Sequence, residues 1–375
     1  MGALPQIAVI GRGLMGSAAA KYLAQAGLAP TLIGPDEPVD KARHRGVFAS
    51  HYDEGRISRK NATDPYWADA SIESIARYSD IERESGIQFF SPVGALMAGE
   101  DLGEFMRDAR RVAKQFEIDC EDHNRNGLAE HIPSVCLPNG WSALWEHTES
   151  GHLSPRRLVA AQTRIATASG AEVIESPASA LERTPDGIRV RVANETYTFD
   201  QVLVAAGGMT DHVLGREANY RVCGRTVTFF ELSEAEAKRL SDLPSLVIGT
   251  REGHYALPPI RYPNGKTYMK LGGDPDDLVL SSPNDIGDWF RTGGRDIARE
   301  HQEEWFHTLF PEVAVEQTST AACITTWTDD FRPEIATLTD GLHVVSAGNG
   351  AGAKCSDELG RRGAALITEL LQKDL

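Results

Sequence analysis

The sequence predicts an α/β fold with an α+β second domain, on three observations. A β-branched run at residues 6–10 passes through Gly11, Gly13 and Gly16 into a helical apolar stripe. At 375 residues, 41% of them hydrophobic, the chain exceeds the usual single-domain size and can fill two cores. Further along, alternating runs at 188–192, 196–205 and 267–271 read as strands, and helical periods at 234–240 and 297–309 read as helices.

The first unit is the most specific. Met15, Ala18, Ala19, Tyr22, Leu23 and Ala26 recur at steps of three and four, and Gly27 ends the stripe before a second strand at 31–33. In a G-x-G-x-x-G turn the first glycine permits the bend. The second lets a pyrophosphate approach the backbone, and the third lets helix and strand pack closely. Gly11, Gly13, Leu14, Met15 and Gly16 are therefore candidate dinucleotide contacts, with the helix N-terminus facing the anion. An acidic residue is expected at the end of the second strand to hold ribose hydroxyls; Gly34 stands there, and Asp36 is the nearest substitute. The motif alone leaves FAD and NAD(P) open.

Composition excludes several function classes. A net charge of −16 argues against general nucleic-acid binding, which needs clustered Lys and Arg. The five cysteines are scattered, with no C-x-x-C pair, so neither a disulfide framework nor a metal site is expected, and a reducing cytoplasm fits best. No apolar run approaches the roughly 18 residues that span a bilayer, so no membrane association is expected. The Pro/Gly-rich stretch 257–265 reads as a hairpin turn.

Later segments decide the cofactor. Residues 48–59 (FASHYDEGRISR), 197–208 (YTFDQVLVAAGG), Lys270 on its strand, Cys323 followed by ITTWTDDFRP, and 343–356 (HVVSAGNGAGAKCS) together resemble the sarcosine oxidase branch of the D-amino-acid oxidase flavoproteins. The resemblance runs the whole length. It implies a Rossmann-like FAD-binding domain from residues 1–85, 150–215 and 323–375. A substrate domain on a mostly antiparallel sheet would come from 86–149 and 216–322. It also implies oxidation of a C–N bond in a small amine or amino acid, a secondary or N-methyl one, with O2 reduced to H2O2. The protein would act as a monomer or small homo-oligomer.

The same resemblance supplies roles. Arg56 sits near the flavin ring, Arg59 and Lys354 clamp a substrate carboxylate, and Tyr255 packs beside the substrate. Lys270 faces the flavin and promotes electron transfer to oxygen, and Cys323 carries the flavin 8α-methyl. Ser50, Gly55, Gly207, Gly348, Gly350, Gly352, Ala353 and Lys354 complete the cofactor contacts, the last strand leading into a helix that Ser356 can cap. Three positions depart from sarcosine oxidase: Asp274 stands for a histidine, Thr325 for a tyrosine and Gly55 for a threonine, which points away from sarcosine itself. A flavin-dependent dehydrogenase and a fructosyl-amine oxidase of the same family stay open as alternatives. More distant ones are an NAD(P)-dependent dehydrogenase and a non-enzymatic flavin-binding protein.

Overall fold

The computed structural model describes residues 5–373. Strand Ile7–Ile10 is apolar on both faces, as a strand inside a parallel sheet must be. Ile7 and Val9 enter one core and Ala8 and Ile10 another, on the two-residue period of a strand. It lies within a six-stranded sheet whose spatial order is Glu334–Thr339, Leu342–Ser346, Gln201–Val204, Ile7–Ile10, Thr31–Ile33 and Glu172–Ile174. All its pairings are parallel except the edge hairpin formed by Glu334–Thr339 and Leu342–Ser346.

Helix Leu14–Gln25 packs on one face of this sheet with helices Pro155–Ala168 and Gly352–Lys373. A three-stranded antiparallel sheet, Ala178–Thr184, Gly187–Val192 and Glu195–Phe199, covers the other face. The glycines of the first turn are steric necessities. A Cβ on Gly11, whose φ is +113°, would stand 2.3 Å from the Ala205 carbonyl oxygen, and one on Gly16 would overlap the Gly11 carbonyl. The C-terminal helix uses the same device. A Cβ on Gly360 would lie 2.4 Å from the Ala18 Cβ, so the two helices cross nearly backbone to backbone.

The second domain is a nine-stranded sheet, antiparallel except where Ala95–Glu100 and Ser245–Ile248 run together. Arg221–Leu232 pairs along its length with Gln317–Trp327 and also with Thr267–Gly272. Helix Asp296–Leu309 covers its outer face, Phe306 stacking on Phe230 with ring centroids 3.7 Å apart. A fourth, small sheet has the order Arg56–Ser58, Gly151–Leu153 and Phe90–Ser91.

Three expectations about local structure need correction. The run 196–205 is two strands, Glu195–Phe199 and Gln201–Val204, in different sheets. Asp200 breaks it by pairing with Gln6, its carboxylate accepting the Gln6 N–H at 2.7 Å and its own N–H donating to the Gln6 carbonyl at 2.8 Å. All of 257–261 belongs to strand Tyr255–Arg261, and the register slips between Leu257 and Ile260 because Pro258 and Pro259 have no N–H for the ladder. The turn itself is closed by Tyr262 and Lys266. Ser356 is no helix cap: helix Gly352–Lys373 has already begun, and the Ser356 hydroxyl donates to the Ala353 carbonyl at 2.9 Å.

Candidate active site

A cavity of about 1090 Å³ opens at the carboxyl ends of the parallel strands, where Ile10, Ile33, Ala205 and Ala347 reach it, and is closed on the far side by the nine-stranded sheet through Val227, Tyr255 and Thr325. Open α/β sheets place ligands at this end, because the loops diverge there and helix N-termini converge. Two helices begin on the cavity. Gly13 precedes the first with no side-chain cap, and a Cβ added there would meet nothing nearer than His51 Nδ1 at 3.9 Å. Its free N–H groups therefore face open space beside Gly11, Leu14 and Met15. The second helix brings Gly352, Ala353 and Lys354 to the wall after the Gly348–Gly350 turn. In that turn Asn349, at φ +45°, accepts the Thr328 N–H through its side chain at 3.0 Å.

Behind the opposite wall lies a buried charge cluster centred on Asp53. One carboxylate oxygen accepts from Lys270 Nζ at 2.7 Å and also pairs with the Arg56 guanidinium. The other accepts the Glu54 N–H at 2.8 Å and the Tyr262 hydroxyl at 2.8 Å. Lys270 also donates to the Gly55 carbonyl. Burial, with the neighbouring Arg56 guanidinium, pulls the Lys270 pKa well down, and Cys323 opposes them. Arg56 reaches further, to the Ser50 carbonyl at 3.3 Å and to Cys323 Sγ at 3.2 Å. It thus ties the hub to the cavity.

Arg59 and Lys354 meet on the wall. Lys354 Nζ donates to the Arg59 carbonyl at 3.4 Å, to the Trp67 carbonyl at 3.3 Å and to the Ser71 hydroxyl, and burial pulls its pKa down to about 8. Those three acceptors match its three donors. Arg59 is different: its Nε is buried without an acceptor, and its guanidinium makes no ion pair among the described residues. Tyr255 lies flat over Gly272, where any Cβ would strike its ring, and burial pushes its hydroxyl up to about 12.

Most of the residues expected at the site line this one cavity: Arg56, Arg59, Lys354, Tyr255, Asp274, Thr325, Cys323, Ser50, Gly207 and the glycines of both turns except Gly16. Gly16, Asp36, Gly55 and Lys270 lie off its wall. Gly16 serves helix–strand packing, Asp36 pairs with Arg12, Gly55 packs against Leu257 and Ile260, and Lys270 is buried behind Asp53. Two wall residues expected to meet substrate are already engaged. Asp274 accepts the Thr226 N–H at 3.1 Å and stands 3.6 Å from Arg295, while burial raises its pKa. Thr325 Oγ1 accepts from Arg225 at 3.2 Å and from the Trp327 indole at 2.7 Å.

The profile of FAD-dependent oxidoreductases of the DAO type matches residues 6–366. The chain belongs to this FAD-dependent oxidoreductase family. Across 96% of the chain and 92% of the relative it is 24% identical to monomeric sarcosine oxidase of Bacillus sp. (strain NS-129). To N-methyl-L-tryptophan oxidase of Yersinia pestis (strain Pestoides F) it is 27% identical over 55% of the chain and 54% of the relative. Its fold superposes with a TM-score of 0.76 on NikD, an unusual amino acid oxidase essential for nikkomycin biosynthesis, at 18% identity, covering 98% of this chain and 95% of that one.

As a member of the family the protein is a flavoenzyme, and the cavity suits FAD. The uncapped first helix and the glycine turn fit a pyrophosphate, and the second helix start would offer N–H donors to a ring that gains negative charge on reduction. No helix among the described residues is long and apolar enough to cross a membrane. The hub role of Asp53 and the wall position of Arg225 escaped sequence reasoning. Asp53 reads as half of a surface acidic turn, and Arg225 reaches the site only because it stands opposite Cys323 in the strand register. Replacing Asp53 by Ala leaves two buried cations facing each other, so Asp53→Ala is expected to lose roughly 3–5 kcal/mol in chemical denaturation. Lys270→Met loses less, since Asp53 retains Arg56 and its other donors.

Proposed function

We propose that the protein oxidises the carbon–nitrogen bond of a small amino acid, secondary or N-methylated, to an imine, with O2 as electron acceptor and H2O2 as product. The observation that carries the substrate class is Arg59, a guanidinium on the cavity wall with a buried Nε that has no protein acceptor. A carboxylate matches a guanidinium fork in shape and charge, and an unpaired buried cation is costly until it finds one. Lys354 holds the Arg59 backbone in place and adds positive charge beside it. The names of the relatives, sarcosine oxidase and N-methyl-L-tryptophan oxidase, support an N-methyl amino acid.

Bound FAD supplies the two-electron acceptor for the C–H bond next to nitrogen. The chain's own part is orientation and charge. With its carboxylate on Arg59, the substrate amine lies in a positive field from Arg56, Arg59 and Lys354, which favours its neutral, electron-donating form. Tyr255, its hydroxyl pushed up to about 12, remains a proton donor through neutral pH and takes no proton from the amine. No cavity residue is assigned as a general base. Arg59→Ala should raise KM for an amino acid over that for its decarboxylated amine by about ten- to a hundredfold, a loss of about 1.5–3 kcal/mol in one charge-assisted contact. Equal effects on the two substrates remove the clamp.

Lys270 is assigned to the oxygen half-reaction as a fixed cation near the site. Its burial behind Asp53, which offsets that charge, is the observation that favours the rival reading of a dehydrogenase using another acceptor. Stopped-flow measurement separates them. Lys270→Met is expected to leave anaerobic reduction nearly unchanged and to slow reoxidation by O2 on the order of a hundredfold. Unchanged reoxidation places Lys270 outside the oxygen site, and slow reoxidation of the parent protein itself favours the dehydrogenase reading.

Cys323 is assigned as the attachment point of the flavin 8α-methyl, through a thioether. Its sulfur lies on the cavity wall beside Arg56, on a strand pinned where the Trp289 indole donates to the Cys323 carbonyl at 2.7 Å. Acid precipitation should leave the yellow colour in the pellet, and Cys323→Ser should release all of it to the supernatant. Colour found wholly in the supernatant of the parent protein makes the holoenzyme non-covalent.

A further inference from the structure

The loop before strand Tyr255–Arg261 and helix Asp296–Leu309 bring Glu252, His254 and His301 together, with one ligand-capable atom of each within 4.8 Å of the other two. His254 is fully buried, its Nδ1 bonded to the Thr250 hydroxyl at 2.7 Å, and its Nε2 has no partner. His301 Nε2 is buried without a partner as well. The rings face each other with centroids 4.8 Å apart, and Trp305 closes the other side at 5.1 Å from the His254 ring. Buried ring nitrogens normally find a hydrogen-bond partner. A bond from one Nε2–H to the other Nε2 would satisfy both, yet neither has a partner, and both stand beside one carboxylate.

We infer that Glu252, His254 and His301 form a binding site for a divalent transition-metal ion, zinc being the best matched, which clips the loop to the helix. Two imidazoles and a carboxylate are a zinc ligand set that leaves a fourth position for water. Zinc imposes no d-electron geometry, so it tolerates a site assembled from a loop and a helix. The Thr250 contact does what a supporting partner of a metal-bound histidine does: it occupies one ring nitrogen and aims the other. Zinc–nitrogen bonds of about 2.0–2.1 Å place tetrahedral ligands roughly 3.4 Å apart, so the cluster must contract, and the half-buried Glu252 and His301 are free to turn inward. The consequence reaches the catalytic cavity: Glu252 lines its rim, and Tyr255 follows His254 directly.

A second, exposed cluster provides the control. Glu121 accepts from His123 and His147, each at 3.1 Å, and could take up zinc without any buried design. The protein as purified, freed of metal with EDTA, would be titrated with zinc against a chromophoric chelator, and its melting followed with and without zinc. One ion per chain is expected, with zinc raising Tm. His147→Ala should change neither result. His301→Gln and Glu252→Gln should each weaken binding by at least about tenfold and abolish the rise in Tm. Should His301→Gln fold poorly, Glu252→Gln alone carries the test, since Glu252 sits on a loop outside the core. The proposal is overturned if micromolar zinc does not bind, if binding survives both substitutions, or if His147→Ala removes it.

Discussion

The rest of the site depends on one buried carboxylate. Asp53 stands where the loop leading to the small sheet meets the large antiparallel one, and it neutralises a lysine from the second domain and an arginine from its own turn. Without that carboxylate the two buried cations would face each other with their charge uncompensated, a costly arrangement. Around this ion cluster the geometry is fixed: Arg56 is aimed at Cys323, Gly55 is pressed against Leu257 and Ile260, and strand Thr267–Gly272 is pinned to the edge of the cavity. The hub is therefore a joint between two domains as well as part of the electrostatics of a reaction centre.

The opposite wall is made of backbone. Gly11, Gly16 and Gly360 are positions where any side chain would collide with a carbonyl or a neighbouring helix, and their absence of side chains lets the first and last helices and the first strand share a narrow space. Helix starts are the useful product of that packing. Their N–H groups cost nothing further to orient when an anionic ligand arrives, because the fold has already aligned them.

The first βαβ unit, with its parallel strands and its helix start, could be read from local pattern, since each depends on glycine placement and on short periods that leave a mark within a few residues. The misreadings share a cause, which is pairing between distant segments. Nothing within residues 196–205 announces that Asp200 will bind Gln6 and divide one apolar run between two sheets. Nothing near Arg225 announces Cys323, which meets it only through strand register. Lys270 was recognisable as unusual, a lysine in an alternating strand, but its burial partner lies more than two hundred residues away. The pairing of Glu252 and His254 with His301 is likewise invisible until a loop and a helix are brought together.

The charge on the cavity wall runs against that of the molecule. In a chain of net charge −16 the lining carries more arginine and lysine than aspartate and glutamate, with Arg12, Arg45, Arg56, Arg59, Arg221 and Arg225 among them. Beyond a Debye length of roughly 8 Å a solute meets the surface as a whole and feels mostly negative potential; inside, it meets the cations one by one. The outer field slows the approach of an anion without abolishing its binding at the wall. An amino acid of the kind proposed, with no net charge, passes the outer field and reveals its carboxylate only at the wall, so the protein sorts molecules first by total charge and then by the pattern in which that charge is arranged.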